Sequence, residues 1–564
     1  MPSSSRAPWH PTALLLVLAL WLATAGNLPL WRALWKLPET HGLQAAVTLG
    51  SLVLVVLAAT VLLLGLFLWP RWLKPAGIAL LLITASSSYF MSSYGIVIDP
   101  SMLTNVVQTD MGEALDLVSW PLVVTLLLGA VLPGIWWWRQ PVRRVGGGRL
   151  VLQQLGVGLL GLLVALAMLW ISFQDVASLM RNHKTLRYMI NPFNTVYAVA
   201  RVSVGRAAQA QQTLQPVGMD AHLVSPGDSV DTSPLIVLVV GETARAANFG
   251  LGGYERDTTP LLKQLQSEGD LVYFSNVSSC GTNTQTSVPC MFSPQGRETF
   301  DGGDTHQENL LDVLQRAGLA VLWLDNQSGC KGVCDRVPHA QVSEQPVAGL
   351  CDGGECLDEA MLSGLDARIA ALDPERRARG VLLVMHQMGS HGPAYHKRAP
   401  EDRKPFQPEC RSVTLSECPA EQLLNAYDNS IAYTDHFLSK TLEWLKGQAT
   451  AGRFDTGLVY VSDHGESLGE NGVFLHGVPY AFAPAQQTHV PMVGWLSEGM
   501  QKRRGVDAGC LRQRAAKPAS HDNLFHSVLG LMDVTTAVRQ PALDLFVPCA
   551  AGTGAAPVSV SPAG

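Results

Sequence analysis

Three threonines, Thr282, Thr284 and Thr286, stand in the stretch CGTNTQTSVPC, residues 280–290, bracketed by two cysteines. A threonine hydroxyl is a weak nucleophile at neutral pH and acts only beside a base or a metal ion. A Cys280–Cys290 bridge would hold one of these hydroxyls rigidly enough for chemistry. The bland alternative is a disulfide-closed surface loop whose hydroxyls face water. Partners for the chemical reading occur at four places: Glu242 in GET, Asp463, His464 and Glu466 in SDHGE, His386 and His391 in HQMGSHG, and Asp325 and Lys331 in DNQSGCK. Two carboxylates and an imidazole suit Zn²⁺, and Mn²⁺ less well. A threonine could complete such a site and also attack, because a metal ion lowers the pKa of a hydroxyl it holds. The run into VPCMF could open a helix whose N-terminal N–H groups favour phosphate. Chemistry alone does not choose among the three threonines.

Each of these polar groups follows a short apolar run. PLIVLVV (234–240) leads to Glu242, LAVLWL (319–324) to Asp325, GVLLVM (380–385) to His386, and GLVYVS (457–462) to Asp463. Continuous apolar runs separated by helical stretches predict a mostly parallel sheet covered by helices on both faces. Ligands of such sheets bind beyond the carboxyl ends of the strands. A lone His or Asp at a strand end is usually a cap or turn residue. Four ends that together deliver Glu, Asp-His, His and Lys outweigh that reading for the set. His489, His521 and His526 are read as structural, since no strand end is predicted at them.

The first 174 residues are of a different kind. The chain of 564 residues is 47% hydrophobic and 15% charged, a balance low in charge for a soluble protein, and the apolar excess lies before residue 175. Five segments near 12–31, 45–69, 75–94, 119–138 and 151–173 reach the length a bilayer core requires, about 20 apolar residues. Asn27 and Pro29 interrupt the first, which could also be read as a signal peptide, although no small-residue cleavage site follows. SSSYFMSSY dilutes the third. Arg71 and Lys74 in one link, and Arg139, Arg143, Arg144 and Arg149 in another, place those links in the cytoplasm. Five crossings then put everything after residue 174 outside.

The cysteines agree with that orientation. All ten lie between Cys280 and Cys549, eight of them as near neighbours: 280/290, 330/334, 351/356 and 410/418, with Cys510 and Cys549 left over. An even set in one domain fits disulfides in an oxidising compartment, though spacing does not fix connectivity. A zinc site on CKGVC is the weaker alternative, because it lacks a second pair of ligands. The acidic link 99–116 carries Asn105, Thr109 and Glu113 at four-residue spacing, which one helix would set along one face. That face is either solvated or a contact for lipid headgroups. Residues 173–202 mix basic and aromatic side chains and suit interfacial helices, 203–233 read as a linker, and 550–564 as a disordered tail. A net charge of −6 argues against a nucleic-acid partner.

Taken together, VVGETARAANFGLGGY, CGTNTQTSVPCMFS, DNQSGCKGVCD, HQMGSHGPAY, YVSDHGESLGENGVFLHG and HDNLFH resemble the phosphoethanolamine transferases that modify lipid A. That family includes the mobile colistin-resistance enzymes and belongs to the alkaline phosphatase superfamily. The resemblance spans nearly the whole chain. It implies an α/β catalytic domain of alkaline phosphatase/sulfatase type, with a mostly parallel sheet between helices, preceded by an all-α transmembrane domain of five helices. The expected divisions are 1–174 for the membrane domain, 175–233 for interfacial helices and linker, and 234–549 for a periplasmic catalytic domain.

The resemblance also implies roles. Thr284 is the expected nucleophile, and Glu242, Thr284, Asp463 and His464 the expected zinc ligands. His391, His476 and Lys331 correspond to residues that hold the substrate phosphate or a second metal ion, with Glu466 beside them. Asn105, Thr109 and Glu113 correspond to positions that hold phosphatidylethanolamine. Gln327 departs from relatives that carry Asn there, and Asn283 and Gln285 receive no role. The implied activity moves phosphoethanolamine from phosphatidylethanolamine to a lipid A phosphate through a phospho-threonine, in a monomeric enzyme of the bacterial inner membrane, with polymyxin resistance as the outcome. Transfer to a core sugar, or a phosphoglycerol transferase of the same superfamily, are the alternatives. A sulfatase is disfavoured by the lack of a C/S-x-P-x-R sequence, and a non-enzymatic sensor by the presence of every expected zinc ligand.

Overall fold

The computed structural model describes residues 7–37, 43–67, 71–108, 111–209, 213–224, 232–269, 271–300, 307–352, 354–506 and 508–547. Five helical segments are long and apolar enough to cross a membrane: Pro11–Trp35, Ala46–Leu66, Leu73–Tyr94, Trp120–Arg139 and Gly147–Ala177. Several of the polar residues that interrupt them are buried and hydrogen-bonded within the protein. The first segment breaks at Ala25–Asn27, between helices Pro11–Ala23 and Leu28–Trp35. There the fully buried Asn27 donates to Leu22 O (2.8 Å) and Asn191 O (2.7 Å), while its Oδ1 accepts from Asn191 N (2.8 Å). In the third, Ser87 bonds Thr195 (3.1 Å) and Tyr89 bonds Ser119 (2.6 Å). An unpaired polar group in hydrocarbon would cost several kcal/mol, so this pairing lets such sequences span. The fifth helix runs on to Asn182, but departs from helical dihedrals at Ser172, close to the expected end of the span.

The acidic link is not one helix. It forms α1 (Pro100–Gln108) and α2 (Met111–Asp116), so the single face expected for Asn105, Thr109 and Glu113 is split between two elements. Thr109 lies outside the described residues. The stretch read as a linker, 203–233, is shorter than expected. Helix Phe193–Gln209 reaches into it, and His222–Leu223 pairs with Val534–Thr535. The tail 550–564 and Cys549 lie outside the described residues.

The catalytic half is built on one eight-stranded sheet. Its strands are β1 (Ser233–Gly241), β2 (Val272–Ser278), β3 (Ala320–Asp325), β4 (His339–Gln341), β5 (Val381–His386), β6 (Phe454–Ser462), β7 (His489–Leu496) and β8 (Ala519–Ser520). They lie in the order β8-β2-β7-β6-β1-β5-β3-β4. All neighbours are parallel except β7, which runs antiparallel to both β2 and β6. The expected mostly parallel sheet is therefore present. The four apolar runs read from the sequence are its adjacent central strands β6-β1-β5-β3. Odd and even residues of β1 enter different cores, Leu235, Val237 and Val239 on one face and Ile236, Leu238 and Val240 on the other. Burial on both faces explains why these strands are apolar throughout rather than alternating. On the first face lies the long helix α4 (Ala420–Thr450), through Tyr427, Ile431 and Leu438.

The loops beyond the strand ends are held by buried polar groups. The carboxylate of Asp358, 4% exposed, accepts from Asn326 Nδ2 (2.8 Å), Met388 N (2.8 Å), Gly389 N (3.0 Å) and Gln387 Nε2 (3.1 Å). It thus ties the loop after β3 to the loop after β5. Asp358→Ala leaves these buried donors without an acceptor and should destabilise the protein by about 3–5 kcal/mol. A thermal melt of the purified variant checks this, and an unchanged Tm would show the carboxylate to be dispensable.

Candidate active site

The strand order brings Glu242 (after β1), Asp463 and His464 (after β6) and His386 (end of β5) side by side. Glu242, Asp463 and His464 are fully buried, with one ligand-type atom from each lying within 4.8 Å of the others. Their orientations are fixed by the backbone. Asp463 Oδ1 accepts from Thr243 N (3.2 Å) and His464 N (2.7 Å), which leaves Oδ2 facing the cluster with no hydrogen bond among the described residues. His464 Nδ1 lies 2.9 Å from Gly465 O and must carry the hydrogen, so the Nε2 lone pair faces inward. Behind Glu242, His386 Nδ1 lies 3.2 Å from Asp325, whose carboxylate also accepts from Trp323 Nε1 (2.8 Å). Gly389 has a φ of +51°, and a Cβ there would stand 2.7 Å from Glu242 O. This glycine lets the loop after β5 close over the glutamate.

Thr284 opens helix α3 (Thr284–Met291), and its Oγ1 lies 3.2 and 3.3 Å from the Glu242 carboxylate oxygens and 3.4 Å from His464 Nε2. Thr282 is turned elsewhere, donating to Val478 O (2.7 Å). Asn283, given no role from sequence, is the N-cap, its Oδ1 accepting from Thr286 N (3.0 Å). The Cys280–Cys290 disulfide is formed, as are 330–334, 351–356 and 410–418, and Cys510 is also disulfide-bonded.

The threonine loop is tied to the rest of the site by a residue the sequence left structural. His521 follows β8, accepts from Cys280 N at Nδ1 (3.0 Å) and donates from Nε2 to Ser462 O (2.9 Å). It thereby joins the threonine loop to the strand end that carries Asp463 and His464. Burial takes its pKa down to about 4, which keeps this neutral tautomer. His489 opens β7, 3.0 Å from Ser275 O, and His526 accepts from Gln540 N (3.1 Å). Two of these three histidines stand at strand ends, contrary to the reason given for reading them as structural.

His476 and His391 flank the cluster, the His476 ring 4.4 Å from that of His464 and 5.6 Å from that of His391. Glu466, fully buried, lies 3.3 Å from His476 Nδ1. Desolvation, with His476, Arg398, His464 and Lys331 around it, holds the His391 imidazole well below its usual range, so it is neutral at pH 7. Burial likewise lowers His464 and raises the carboxyls of Asp463 and Glu466. Carboxylates driven upward and a bare inward oxygen are what a divalent cation would offset, so the donor set fits a metal ion. Three non-glycine residues here take left-handed backbone: Thr243 (φ +52°), Lys331 (φ +52°) and Leu475 (φ +62°), strain that costs about 1–3 kcal/mol each.

Lys331 is half-buried rather than buried. Its Nζ bonds Ser328 O (3.1 Å) and Oγ (2.7 Å) on the wall of a cavity of about 1460 Å³ that reaches Asp116, Glu355 and Arg398. Asn105 lies half-buried in α1, which packs against helix α3 that Thr284 opens. Glu113 belongs to α2. Gly477, next to His476, has no room for a Cβ because Met102 of α1 fills that space.

Comparison with known proteins bears on this arrangement. A sulfatase model matches residues 234–534, and a phosphoethanolamine transferase EptA/EptB model matches residues 55–207. The phosphoethanolamine transferase EptA of Salmonella typhimurium is 40% identical over 548 residues, 95% of this chain and 96% of that protein. The phosphatidylethanolamine transferase Mcr-1 of Escherichia coli is 36% identical, over 94% of this chain and 96% of its own. The integral membrane lipooligosaccharide phosphoethanolamine transferase A of Neisseria meningitidis superposes with a TM-score of 0.89 at 36% identity, covering 94% of this chain and 98% of that one. The likeness thus embraces both the apolar N-terminal helices and the eight-stranded sheet. The chain belongs to the phosphoethanolamine transferase family, within the sulfatase and alkaline phosphatase superfamily.

Proposed function

We propose that this protein transfers phosphoethanolamine from phosphatidylethanolamine to a phosphate of lipid A, through a covalent intermediate on Thr284, at the periplasmic face of the bacterial inner membrane. The observation that carries the reading is the Thr284 hydroxyl, 3.2 Å from Glu242 and 3.4 Å from His464 at the first turn of a helix. The N–H groups of that turn favour the donor phosphate. Glu242, Thr284, Asp463 and His464 would hold Zn²⁺, which, when bound, offsets charge on the phosphoryl oxygens and eases ionisation of the hydroxyl. Thr284 Oγ bonds to phosphorus as the bond from phosphorus to the diacylglycerol oxygen breaks. The proton lost by the hydroxyl equals the one the diacylglycerol oxygen gains, and His391, held neutral, and His476 carry it. A lipid A phosphate oxygen then attacks the same phosphorus, Thr284 leaves, and its oxygen recovers a proton. Lys331 steadies the incoming phosphate, and Asn105, Thr109 and Glu113 the donor headgroup. The membrane helices keep a monomeric enzyme among its two lipid substrates, which raises their effective concentration.

Thr284→Ala should remove transfer by about 10³-fold or more while the protein stays folded. Thr282→Ala and Thr286→Ala, assayed beside it with purified protein and labelled donor, should stay within about tenfold of wild type. Appreciable turnover by Thr284→Ala would reject the assignment.

Glu242→Ala, Asp463→Ala and His464→Ala should each lose zinc and activity together, because a four-ligand site is weakened by loss of any one ligand. Elemental analysis of the purified variants decides it, and full zinc in all three would place the ligands elsewhere.

Phosphoethanolamine brings an ammonium to a phosphate and so weakens the attraction of cationic peptides to the cell surface. Expression in a susceptible Gram-negative host should raise polymyxin resistance and add at least one phosphoethanolamine mass to lipid A. Resistance without that gain would point to another acceptor, such as a core sugar.

A further inference from the structure

Between the membrane helices and the catalytic loops sits one side chain that bonds three separate segments. Arg398, its side chain 4% exposed, donates from Nε to His391 O (2.8 Å), from Nη1 to Glu355 (3.2 Å) and from Nη2 to Asp116 (3.4 Å). His391 belongs to the loop after β5, Glu355 to the hairpin closed by Cys351–Cys356, and Asp116 to helix α2 of the acidic link. Lys397 also pairs with Asp116 but is 44% exposed, so its contact is the more screened. A guanidinium presents its N–H donors from three nitrogens spread over a fixed plane, so it reaches three separated acceptors at once, whereas an ammonium donates from a single point. The same acidic link reaches the site a second time, through Met102 against Gly477 beside His476. α1 and α2 are thus fixed to the loops of the site at two points.

We propose that Arg398 is a positioning residue for the transfer reaction, holding helix α2 in register with the His391 loop so that donor lipid and nucleophile meet in the same geometry. This rests on the transferase reading given above. Arg398 acts through the His391 backbone and Asp116 and touches no reacting atom.

The test uses the full-length protein in detergent–lipid mixtures, with phosphatidylethanolamine as donor and rates expressed per zinc-loaded molecule. Arg398→Lys and Asp116→Asn should each lower kcat about tenfold, with KM for the donor within about threefold, zinc content unchanged, and no rescue from the retained charge in Arg398→Lys. Because both substitutions break one bridge, the double variant should lose about as much as the worse single variant, whereas independent effects would multiply to about a hundredfold. Wild-type kcat in Arg398→Lys, or multiplied losses in the double variant, would overturn the proposal. Should Arg398→Lys fold poorly, Asp116→Asn decides the matter alone, since a residue of purely structural effect would leave kcat per zinc-loaded molecule unchanged. A wild-type protein that transfers nothing would overturn the transferase reading and this inference with it.

Discussion

Glu242, Asp463 and Glu466 are all fully buried in one small region, and water cannot stabilise their charges. Holding like charges together out of solvent is costly unless a cation or precise hydrogen bonding offsets them. The catalytic half is arranged to meet that cost. Parallel central strands deliver the carboxylates from adjacent ends, and backbone N–H groups fix Asp463 Oδ1 so that Oδ2 points inward. The bare oxygen, the His464 lone pair and the Thr284 hydroxyl then converge on one point where a divalent cation fits.

Convergence requires that the threonine loop not drift. It is held on one side by His521, which links Cys280 to Ser462, and on the other by Gly477 N donating to Thr282 O (2.7 Å) and Thr282 donating to Val478 O. The disulfide closes the loop and Asn283 caps the helix it starts. The segment 475–478 thus carries His476 to the site and also braces the threonine loop.

Much of this architecture could be read from residue order, because the physics that sets it is local. Fully apolar runs identify β1, β3, β5 and β6, and a polar cluster at the end of each marks the site. The remaining strands were not legible: β2 (VYFSNVS) breaks its apolar start with Ser275 and Asn276, and β7 holds Pro491 and Gly494 and runs antiparallel, with a shift in register between Val490 and Met492. The choice of Thr284 over Thr282 rested on resemblance alone, since hydroxyl direction depends on contacts with Val478, nearly 200 residues away. Arg398 gave no signal either, because its acceptors lie at positions 116, 355 and 391 and no spacing relates them. The acidic link read as one helix is two, and periodicity did not reveal the break.

The claim on which the account turns is that phosphorus rests on Thr284 between donor and acceptor. The most direct measurement is peptide mass spectrometry of the full-length protein, quenched after incubation with phosphatidylethanolamine in the absence of any acceptor. The account predicts that the peptide containing residues 280–290 gains the mass of one phosphoethanolamine group, localised to Thr284 by fragmentation. A modification on another residue, or an unmodified Thr284 at every time point in a preparation that transfers phosphoethanolamine once acceptor is added, would contradict it.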